Sequence, residues 1–437
     1  MVEAPPPAEH SVVDQRVFAK CAWRILPIVI AAFIANFLDR TNVGFAALTM
    51  NRDLGFSPTV YGFGAGIFFF SYSLFQVPAN LVLHRVGARR WISCILALWG
   101  ATAAATALTR GPISFYVLRF LLGMAEAGFF PGIILYLTFW FPKAFLGRFT
   151  AMFMAGNVLS FVIGGPLATL ILRLDGAGGM HAWQWLFVLE GIPAYVIALA
   201  VLILLPDGPA DAPWLNGSER QFVAASVSVE QSYKEQNLMR GLLNLRVLAL
   251  GIAYGGMLFA IYGFGFWLPL LIQAAGFSNS ETGFVTGSLY LASVPAMLVF
   301  GRSSDGREER IWHVASASLF GAVALFIAAV THANFVLLPA VALAGMAMYS
   351  ALTPFYGLAS SFLAGRAMAG AIALINMIGG FLGGFAGQYG IGKIRETTGS
   401  YAPALGLMAV SLLVAGAIVL TLGRGMSQHK SAPALTA

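Results

Sequence analysis

Two charged residues, Arg119 and Glu126, lie inside an apolar stretch that is long enough to cross a membrane. A charge at the centre of a membrane helix costs about 2.5–3.5 kcal/mol on translocon-type scales. Seven residues are close to two helical turns, so both side chains share one face, about 10 Å apart along the axis. Such charges persist only where they face a polar cavity or a partner, so we expect this face to carry the chemistry.

The composition is that of an integral membrane protein. The chain has 437 residues, of which 59% are hydrophobic and 10% charged, and its mean hydropathy is +0.80. Soluble domains carry about 25% charged residues. A spanning helix needs about 20 apolar residues, which predicts an all-α membrane protein of twelve transmembrane helices. The predicted spans lie near 25–50, 59–83, 91–109, 113–140, 149–173, 184–205, 246–274, 282–301, 312–331, 334–358, 367–391 and 402–423.

The basic residues predict the orientation of the chain. With the N-terminus inside, eighteen of the 25 Lys and Arg residues fall in cytoplasmic segments and five in outer ones, while Arg40 and Arg119 are buried. This distribution is the positive-inside signal, so the net charge of +7 does not indicate a nucleic-acid partner. Both termini are therefore predicted to be cytoplasmic, and the protein to be a multi-pass protein of the inner or plasma membrane.

A polar loop divides the chain into two halves. We expect a cytoplasmic tail (1–20), a six-helix bundle (21–205), a central cytoplasmic loop (206–244), a second bundle (245–424) and a second tail (425–437). The motif V-P-A-x-L-V recurs from Val77 and from Val294, which indicates duplication. Copies with an even number of helices share one orientation and place a cavity between two bundles. Part of the loop, SERQFVAASVSVEQSYKEQ, could form a surface helix, and a linker is favoured over a regulatory module.

Other features of the sequence argue against a disulfide-bonded, secreted, metal-binding or enzymatic protein. Cys21 and Cys94 lie near predicted inner helix ends, on the reducing side, so no disulfide is expected. The N-terminus lacks the charged region and cleavage site of a secretory signal, so the first helix is predicted to be an uncleaved anchor. No metal-ligand cluster, no cofactor motif and none of the protease, hydrolase or nucleotide-binding motifs occurs, so we expect no metal, no cofactor and no enzyme activity.

Several long motifs resemble the anion–cation symporter family of the major facilitator superfamily. They are LDRTNVGFAALTMNRDLGFSPTVYGFGAGIFFFSY from Leu38, RFLLGMAEAGFFPG from Arg119, WQWLFVLEGIPA from Trp183, LPDGPADAPWL from Leu205 and IALINMIGG from Ile372. The resemblance covers both halves and implies the major facilitator fold. It also implies uptake of a small organic anion, such as a tartrate-like, sugar-acid or aromatic acid.

The resemblance also implies roles for individual residues. It assigns proton coupling to Asp39 and Glu126. It assigns substrate binding to Arg40, Arg119, Tyr72, Asn157, Thr353, Tyr356 and Asn376. Phe37 and Tyr356 stand where relatives tend to carry Tyr and Trp, and Gln76 and Gln388 replace Glu and Pro, which bears on the identity of the acid.

The side-chain chemistry fits these roles. Arg40 and Arg119 are always charged, and each guanidinium can hold a carboxylate bidentately. Counting helix positions places them about 8 and 9 Å below the outer surface, roughly level. Asp39 and Arg40 point about 100° apart, so Asp39 is expected to meet Arg119 on another helix. Glu126 lies about two turns deeper with no cation nearby in sequence, and its protonation would lower the cost of moving it through a dry state.

Coupling then takes a simple electrostatic form. A proton on Asp39 frees positive charge for an incoming carboxylate, and the loaded site, near neutral, can rock between the two faces of the membrane. Gating is expected from cytoplasmic ion pairs that hold the inner side closed, although a plain positive-inside role is the alternative. The predicted gating residues are Arg85, Arg89, Arg90, Glu190, Arg302, Asp305 and Arg307.

Other functions stay open at this point. Proton symport of an organic anion is the leading hypothesis, and anion exchange and facilitated uniport are the alternatives within transport. A membrane-embedded enzyme, a channel and a drug exporter are less favoured, since two buried arginines suit an anionic cargo. The expected partners are the organic anion, protons and the lipid bilayer, with no nucleic acid, and the protein is expected to work as a monomer.

Overall fold

The computed structural model describes residues 12–228, 244–331, 333–361 and 365–430, and within these ranges the chain is helical without strands. The first half contains α1 (Val12–Asp53), α2 (Pro58–Val86), α3 (Ala88–Ala105), α4 (Pro112–Glu126), α5 (Phe129–Thr138), α6 (Lys143–Leu172) and α7 (Ala182–Leu204). The second half contains α9 (Leu245–Ala274), α10 (Asn279–Gly306), α11 (Ile311–Val330), α12 (Asn334–Ser361), α13 (Gly365–Gly379), α14 (Gly387–Thr398) and α15 (Ala402–Lys430), and α8 (Gly217–Ser228) lies in the loop between the halves.

Two of the predicted spans are interrupted. The fourth breaks into α4 and α5 at Ala127 and Gly128, immediately after Glu126. The eleventh changes from α13 to α14 through a π-helical segment, Gly380–Ala386, in a run of glycines. Segments of this kind frequently mark functional sites in helices.

Ten helical segments within the described ranges are long and apolar enough to cross a membrane. α2 and α6 are also long, with 29 and 30 residues, but the count of twelve spans stays a prediction. Large apolar side chains such as Ile203 and Phe335 are exposed on the outside of the bundle, at 67% and 81%. In water such a surface would aggregate, whereas lipid tails cover it at no cost.

The two halves meet at one end, which we call the distal end because it lies opposite the central loop. Tyr61 of α2 donates a hydrogen bond to the carbonyl of Phe266 in α9, at 2.9 Å. Ser57 Oγ and the Thr59 amide both donate to Glu396 of α14, at 2.9 and 3.0 Å. None of the ion pairs among the described residues joins the two halves on the loop-bearing side.

Glycines make the close approach at the distal end possible. A Cβ on Gly165 of α6 would lie 2.3 Å from the carbonyl oxygen of Gly283 in α10. A Cβ on Gly392 of α14 would lie 2.3 Å from the carbonyl of Pro58 at the start of α2. Small residues allow helix backbones to pack closely in lipid, where no hydrophobic force draws helices together. The contact between the halves at the distal end, which we call the distal seam, therefore depends on these glycines.

The central loop is tethered to the first half. Lys20 of α1 forms a 2.7 Å ion pair with Glu219 of α8, and this hydrogen bond lowers the pKa of the Glu219 carboxyl. Phe222 packs on Phe18 with ring centroids 5.6 Å apart, and Val223 is fully buried. The first part of the predicted surface helix is thus present as α8, and its remainder lies outside the described residues. Cys21 and Cys94 are both free thiols.

Candidate functional site

The centre of the candidate site is an ion pair between α1 and the end of α4. Arg40 Nε donates to Glu126 Oε2 at 2.9 Å, and Asn36 Nδ2 donates to the same oxygen at 2.7 Å. Asn36 and Arg40 are one turn apart on α1, so both donors face α4. The cation that Glu126 lacks in its own sequence neighbourhood therefore comes from another helix. Its second oxygen, Oε1, is buried and has no hydrogen-bond partner among the described residues.

A glycine in α4 brings this helix against α2. A Cβ on Gly123 would lie 2.2 Å from the carbonyl oxygen of Phe68 and 2.3 Å from Ser71 Oγ. Only a residue without a side chain fits here, and it lies one turn before Glu126. The spacing R-x-x-x-G-x-x-E thus combines two charged positions with the contact that holds their helix in place.

Both arginines use the ring of Phe68. The guanidinium carbon of Arg119 lies 4.8 Å from the ring centroid of Phe68, and that of Arg40 lies 5.4 Å from it. Arg40 also lies 4.6 Å from the ring of Tyr72. Aromatic faces stabilise cations at this range. Both arginines contact this one ring, which agrees with the expectation that they lie at about the same depth in the membrane.

Arg119 has an unusual environment for a buried cation. Arg119 is fully buried, and none of its three guanidinium nitrogens has a hydrogen-bond partner among the described residues. Asp39 and Glu126 both act on it electrostatically, but neither lies within the 4.0 Å of an ion pair. The predicted Asp39–Arg119 neighbourhood is therefore present without a direct bond. A buried guanidinium without hydrogen bonds is costly, so this group is available for an anionic partner.

Asp39 lies beside the Glu126 carboxyl and also belongs to a polar group formed with α7. Asn42 Nδ2 donates to Asp39 Oδ1 at 3.4 Å, and the Asn42 side chain also interacts with Glu190 of α7. Glu190 is only 6% exposed and forms no ion pair among the described residues. The expectation that Glu190 belongs to a gating ion pair stays a prediction. α7 packs against α1 and α3 here, which turns the carboxyl inwards, away from the cytoplasmic arginines.

Tyrosines from both halves extend the site. Tyr72 of α2 lies beside Arg40, and Tyr262 of α9 also acts on Arg40 electrostatically. Tyr254 of α9 is hydrogen-bonded through its hydroxyl to Tyr356 of α12. Electrostatic interactions link Tyr72 to Tyr254, Tyr262 and Tyr356. Two of the predicted substrate residues, Tyr72 and Tyr356, thus belong to one cluster between the halves.

The remaining predicted binding residues are less closely connected. The side chain of Asn157 lies outside the described part of the chain. Thr353 is exposed near Gly301 of α10, and Asn376 is half-buried on α13. In the described residues, neither Thr353 nor Asn376 is hydrogen-bonded to the arginines. Their roles stay predictions.

Gln388 has a structural partner at the distal side. Its Oε1 accepts a hydrogen bond of 3.0 Å from Trp267 Nε1, and its Nε2 donates to the Gly383 carbonyl at 3.2 Å. The ring of Trp267 in turn meets the ring of Tyr61, with centroids 4.9 Å apart. Gln388 thereby joins the π-helical segment to the closed end of the bundle.

The predicted gating residues lie at the loop-bearing end. Arg85, Arg90, Arg302 and Arg307 are exposed there, and Asp305 lies 4.0 Å from Arg310 of its own segment. The Arg89 amide donates to Asp207 at 2.8 Å. The closed end in this structure is the distal one, so the predicted inner ion pairs belong to another conformation and stay a prediction.

Sequence reasoning missed Asn36, Asn42, Phe68 and Trp99 as members of the site; the Trp99 indole lies beside the Asp39 carboxyl. A signal existed for the two asparagines, which lie four residues before Arg40 and three residues after Asp39. Such spacing puts polar groups on shared faces of α1. Phe68 and Trp99 carried no such signal because aromatic residues are frequent in apolar helices. Within the described ranges no group of His, Cys, Asp and Glu could hold a metal ion.

Paired halves of apolar helices, with a buried charged cluster close to their interface, define a membrane transporter rather than a soluble binding protein. The chain belongs to the Major Facilitator Superfamily, whose sequence profile matches residues 29–388. It is a multi-pass protein of the cell membrane.

Known proteins of similar sequence and fold extend this comparison. A candidate tartrate transporter of Agrobacterium vitis is 43% identical over 95% of this chain and 96% of its own length. A quinolone resistance transporter of Acinetobacter baumannii is 37% identical over 93% of this chain and 94% of its own. Among solved structures, a bacterial homologue of the human lysosomal transporter Spinster, in its inward-facing unoccupied conformation, has a TM-score of 0.76. It is 17% identical over 95% of this chain and 99% of its own.

Proposed function

We propose that this transporter takes up a small organic anion, a carboxylate of the tartrate, sugar-acid or aromatic-acid type, together with protons. We place it in the anion–cation symporter family of the superfamily. Arg40 and Arg119 bind the carboxylate, and Asp39 and Glu126 carry the coupled protons. The similarity to a candidate tartrate transporter supports the substrate class.

The unsatisfied guanidinium of Arg119 carries this proposal. All three of its nitrogens lack hydrogen-bond partners among the described residues, within the electrostatic reach of two carboxyl groups. Burial without hydrogen bonds costs free energy that an incoming carboxylate would restore through a bidentate interaction. A neutral or cationic cargo would not restore it. Organic anions therefore fit the site better than other classes of solute.

The Arg40–Glu126 pair supplies the coupling step. When Glu126 is ionised, its Oε2 accepts the hydrogen bond that Arg40 Nε donates. Protonation of Glu126 weakens that pair and frees the Arg40 guanidinium for the substrate carboxylate. Release of substrate lets Arg40 return to the deprotonated carboxylate. Proton and anion thus travel together because the proton neutralises the carboxylate that competes with the anion for the Arg40 guanidinium.

Alternating access follows from the two halves. The closed distal end and the separation of the halves at the loop-bearing end correspond to an inward-open state, if the central loop and both termini are cytoplasmic. Tyr72 and Tyr356 would contact the organic part of the substrate, with Asn157, Thr353 and Asn376 as further polar partners. Arg85, Arg89, Arg90, Arg302, Asp305 and Arg307 would close the inner side in the opposite state.

Thermal denaturation of the detergent-purified protein with a panel of carboxylates tests this function. We expect tartrate or a related acid to raise the melting temperature, and the R119M variant to lose that shift. Hits are then measured for uptake into proteoliposomes with and without an inward proton gradient. If no carboxylate stabilises the protein, the organic-anion assignment fails.

Anion exchange and facilitated uniport are the alternatives within transport. Both would give uptake of labelled substrate that a protonophore leaves unchanged. Symport requires that the protonophore abolish accumulation above the external concentration. The same preparation therefore separates symport from the other two mechanisms.

A further inference from the structure

The distal seam contains a carboxyl group that bonds across the two halves. Glu396 of α14 belongs to the second half. Its Oε2 accepts hydrogen bonds from Ser57 Oγ at 2.9 Å and from the Thr59 amide at 3.0 Å, at the start of α2 in the first half. The proposed mechanism does not use this group. A titratable side chain on a seam that has to open and close can make that movement depend on pH.

The bonding partners lie at a helix N-terminus, where a carboxylate is stabilised. The first amides of a helix have no partner within the helix, and the helix dipole is positive at this end. Ser57 Oγ accepts from the Val60 amide at 3.3 Å, and Glu396 accepts from the Thr59 amide, which the Ser57 side chain leaves free. An ionised Glu396 is therefore a second cap of α2, supplied by the other half.

Backbone packing fixes the distance of this contact. Gly392 lies one turn before Glu396 on α14, and a Cβ on Gly392 would lie 2.3 Å from the Pro58 carbonyl oxygen. Because α2 and α14 approach this closely, the carboxylate is held where both of its hydrogen bonds form. Movement of the two halves away from each other at the distal end breaks both bonds together.

The Glu396 carboxyl is open to solution and has few charged neighbours. Glu396 is exposed, and Lys393, one turn earlier on α14, acts on it electrostatically. The guanidinium of Arg395 lies over the Tyr401 ring instead, 4.6 Å from its centroid. No charged side chain occurs in the adjoining turns of α2, α9 and α15, which are residues 58–61, 270–274 and 402–405. The bonds to α2 are therefore the main difference that opening of the seam makes to this carboxyl.

We propose that Glu396 is a proton-operated latch of the distal seam, which holds α2 while it is ionised and releases α2 when a proton binds. A carboxylate accepts both bonds more strongly than a neutral carboxyl does. The distal-closed state therefore binds the Glu396 proton less readily than the distal-open state, and acid shifts the molecule towards the open state. If the central loop is cytoplasmic, an acidic exterior favours the state that loads substrate from outside. That last consequence rests on the proposed function, whereas the latch does not.

Glu281 offers a matched control at the same end of the molecule. Its Oε2 accepts from the Ser278 amide at 2.8 Å and from Ser278 Oγ at 2.7 Å, at the start of α10. The chemistry is the same, a carboxylate that caps a helix N-terminus together with a serine, but both partners belong to the second half. Titration of Glu281 can therefore affect α10 without untying a bond between the halves.

Spin-label distance distributions across the distal end test the latch on purified protein in lipid nanodiscs without substrate. At about pH 7, E396Q should lower the ratio of distal-closed to distal-open molecules about fivefold, the effect of losing about one net hydrogen bond, whereas E281Q should leave the ratio unchanged. On acidification to about pH 4, where a free glutamate is half-titrated, the ratios of wild type and E281Q should fall about twofold more than that of E396Q. A ratio in E396Q equal to that of wild type at neutral pH, or an equal response of the two to acid, would overturn the proposal.

S57A decides on the latch if E396Q does not fold. This variant keeps the carboxylate and removes one of its two bonds, so the ratio should fall in the same direction by a smaller factor. A ratio equal to that of wild type would contradict the latch. Absence of organic-anion uptake by wild type would instead refute the proposed function and leave the distance measurements to decide on Glu396.

Discussion

Arg40 Nε lies 2.9 Å from Glu126 Oε2, and this bond joins the first helix to the point where the fourth span breaks. Both residues are almost fully buried, and Asn36 donates to the same oxygen at 2.7 Å. A guanidinium and a carboxylate in this arrangement form a switch, because protonation of one partner releases the other. The proposed coupling mechanism depends on this release.

Glu126→Gln should separate binding from coupling. Glutamine keeps the shape of the protonated carboxyl and can no longer release a proton. We expect E126Q to exchange labelled for unlabelled organic anion and to lose accumulation driven by a proton gradient. Counterflow and gradient-driven uptake in the same proteoliposomes measure the two activities. E308Q serves as the control for the chemical change, and full gradient-driven accumulation by E126Q would rule out Glu126 as the proton carrier.

Removal of Arg40 and removal of Arg119 should have opposite effects on the stability of the protein. R40M leaves Glu126 ionised without its cation, and breaking a buried ion pair costs about 3–5 kcal/mol. R119M deletes a buried cation that has no hydrogen bond, so its melting temperature should equal or exceed that of wild type. Both variants should lose the carboxylate-induced shift. Equal destabilisation by the two substitutions would show that Arg119 has partners in solution that the structure lacks.

The distal seam offers a matched pair of glycines on one helix. A Cβ on Gly392 of α14 would meet the Pro58 carbonyl at 2.3 Å, whereas a Cβ on Gly390 has nothing within 4 Å. G392A should therefore weaken distal closure and raise the labelling of a cysteine placed in the distal seam, while G390A should behave as wild type. Labelling rates with a membrane-impermeant maleimide measure the effect. Identical rates in both variants would show that the seam does not close through α14 and α2.

The Tyr61 hydroxyl provides a smaller perturbation of the same seam. Y61F removes its hydrogen bond to the Phe266 carbonyl while the ring stays against Trp267. A typical hydrogen bond contributes about 1 kcal/mol net, so the ratio of distal-closed to distal-open molecules should fall about fivefold. Spin-label distance distributions across the distal end measure this ratio. Y195F, at an exposed tyrosine of α7, is the control, and an unchanged distribution in Y61F would exclude the bond as part of the closure.

Much of the fold follows from the apolar pattern, but the pairing inside the site does not. Apolar runs predict the helices because lipid requires each backbone to satisfy its own hydrogen bonds. The partner of Glu126 depends on the rotation and depth of α1 against α4, which the close contact at Gly123 helps to fix. Sequence therefore placed Glu126 among apolar neighbours, while the structure gives it Arg40 and Asn36.

Glu190 shows a second limit of sequence reasoning. Its motif, WLFVLEGIPA, indicates a charged residue in a membrane helix but not the face on which it lies. Contacts between α7 and α3, where Gly191 packs against Gly100, turn Glu190 towards α1. The expected gating role relied on charge alone and stays a prediction, because the helix packing decides which partners the charge can reach.

Proton-driven uptake into proteoliposomes tests the central claim most directly. The purified protein is reconstituted at neutral internal pH, an inward proton gradient is imposed, and uptake of labelled tartrate or of the acid found by thermal shift is followed. The mechanism predicts accumulation above the external concentration that a protonophore abolishes and that E126Q does not show. Accumulation that is unaffected by the protonophore, or absence of uptake of any stabilising carboxylate, would contradict coupling through the Arg40–Glu126 pair.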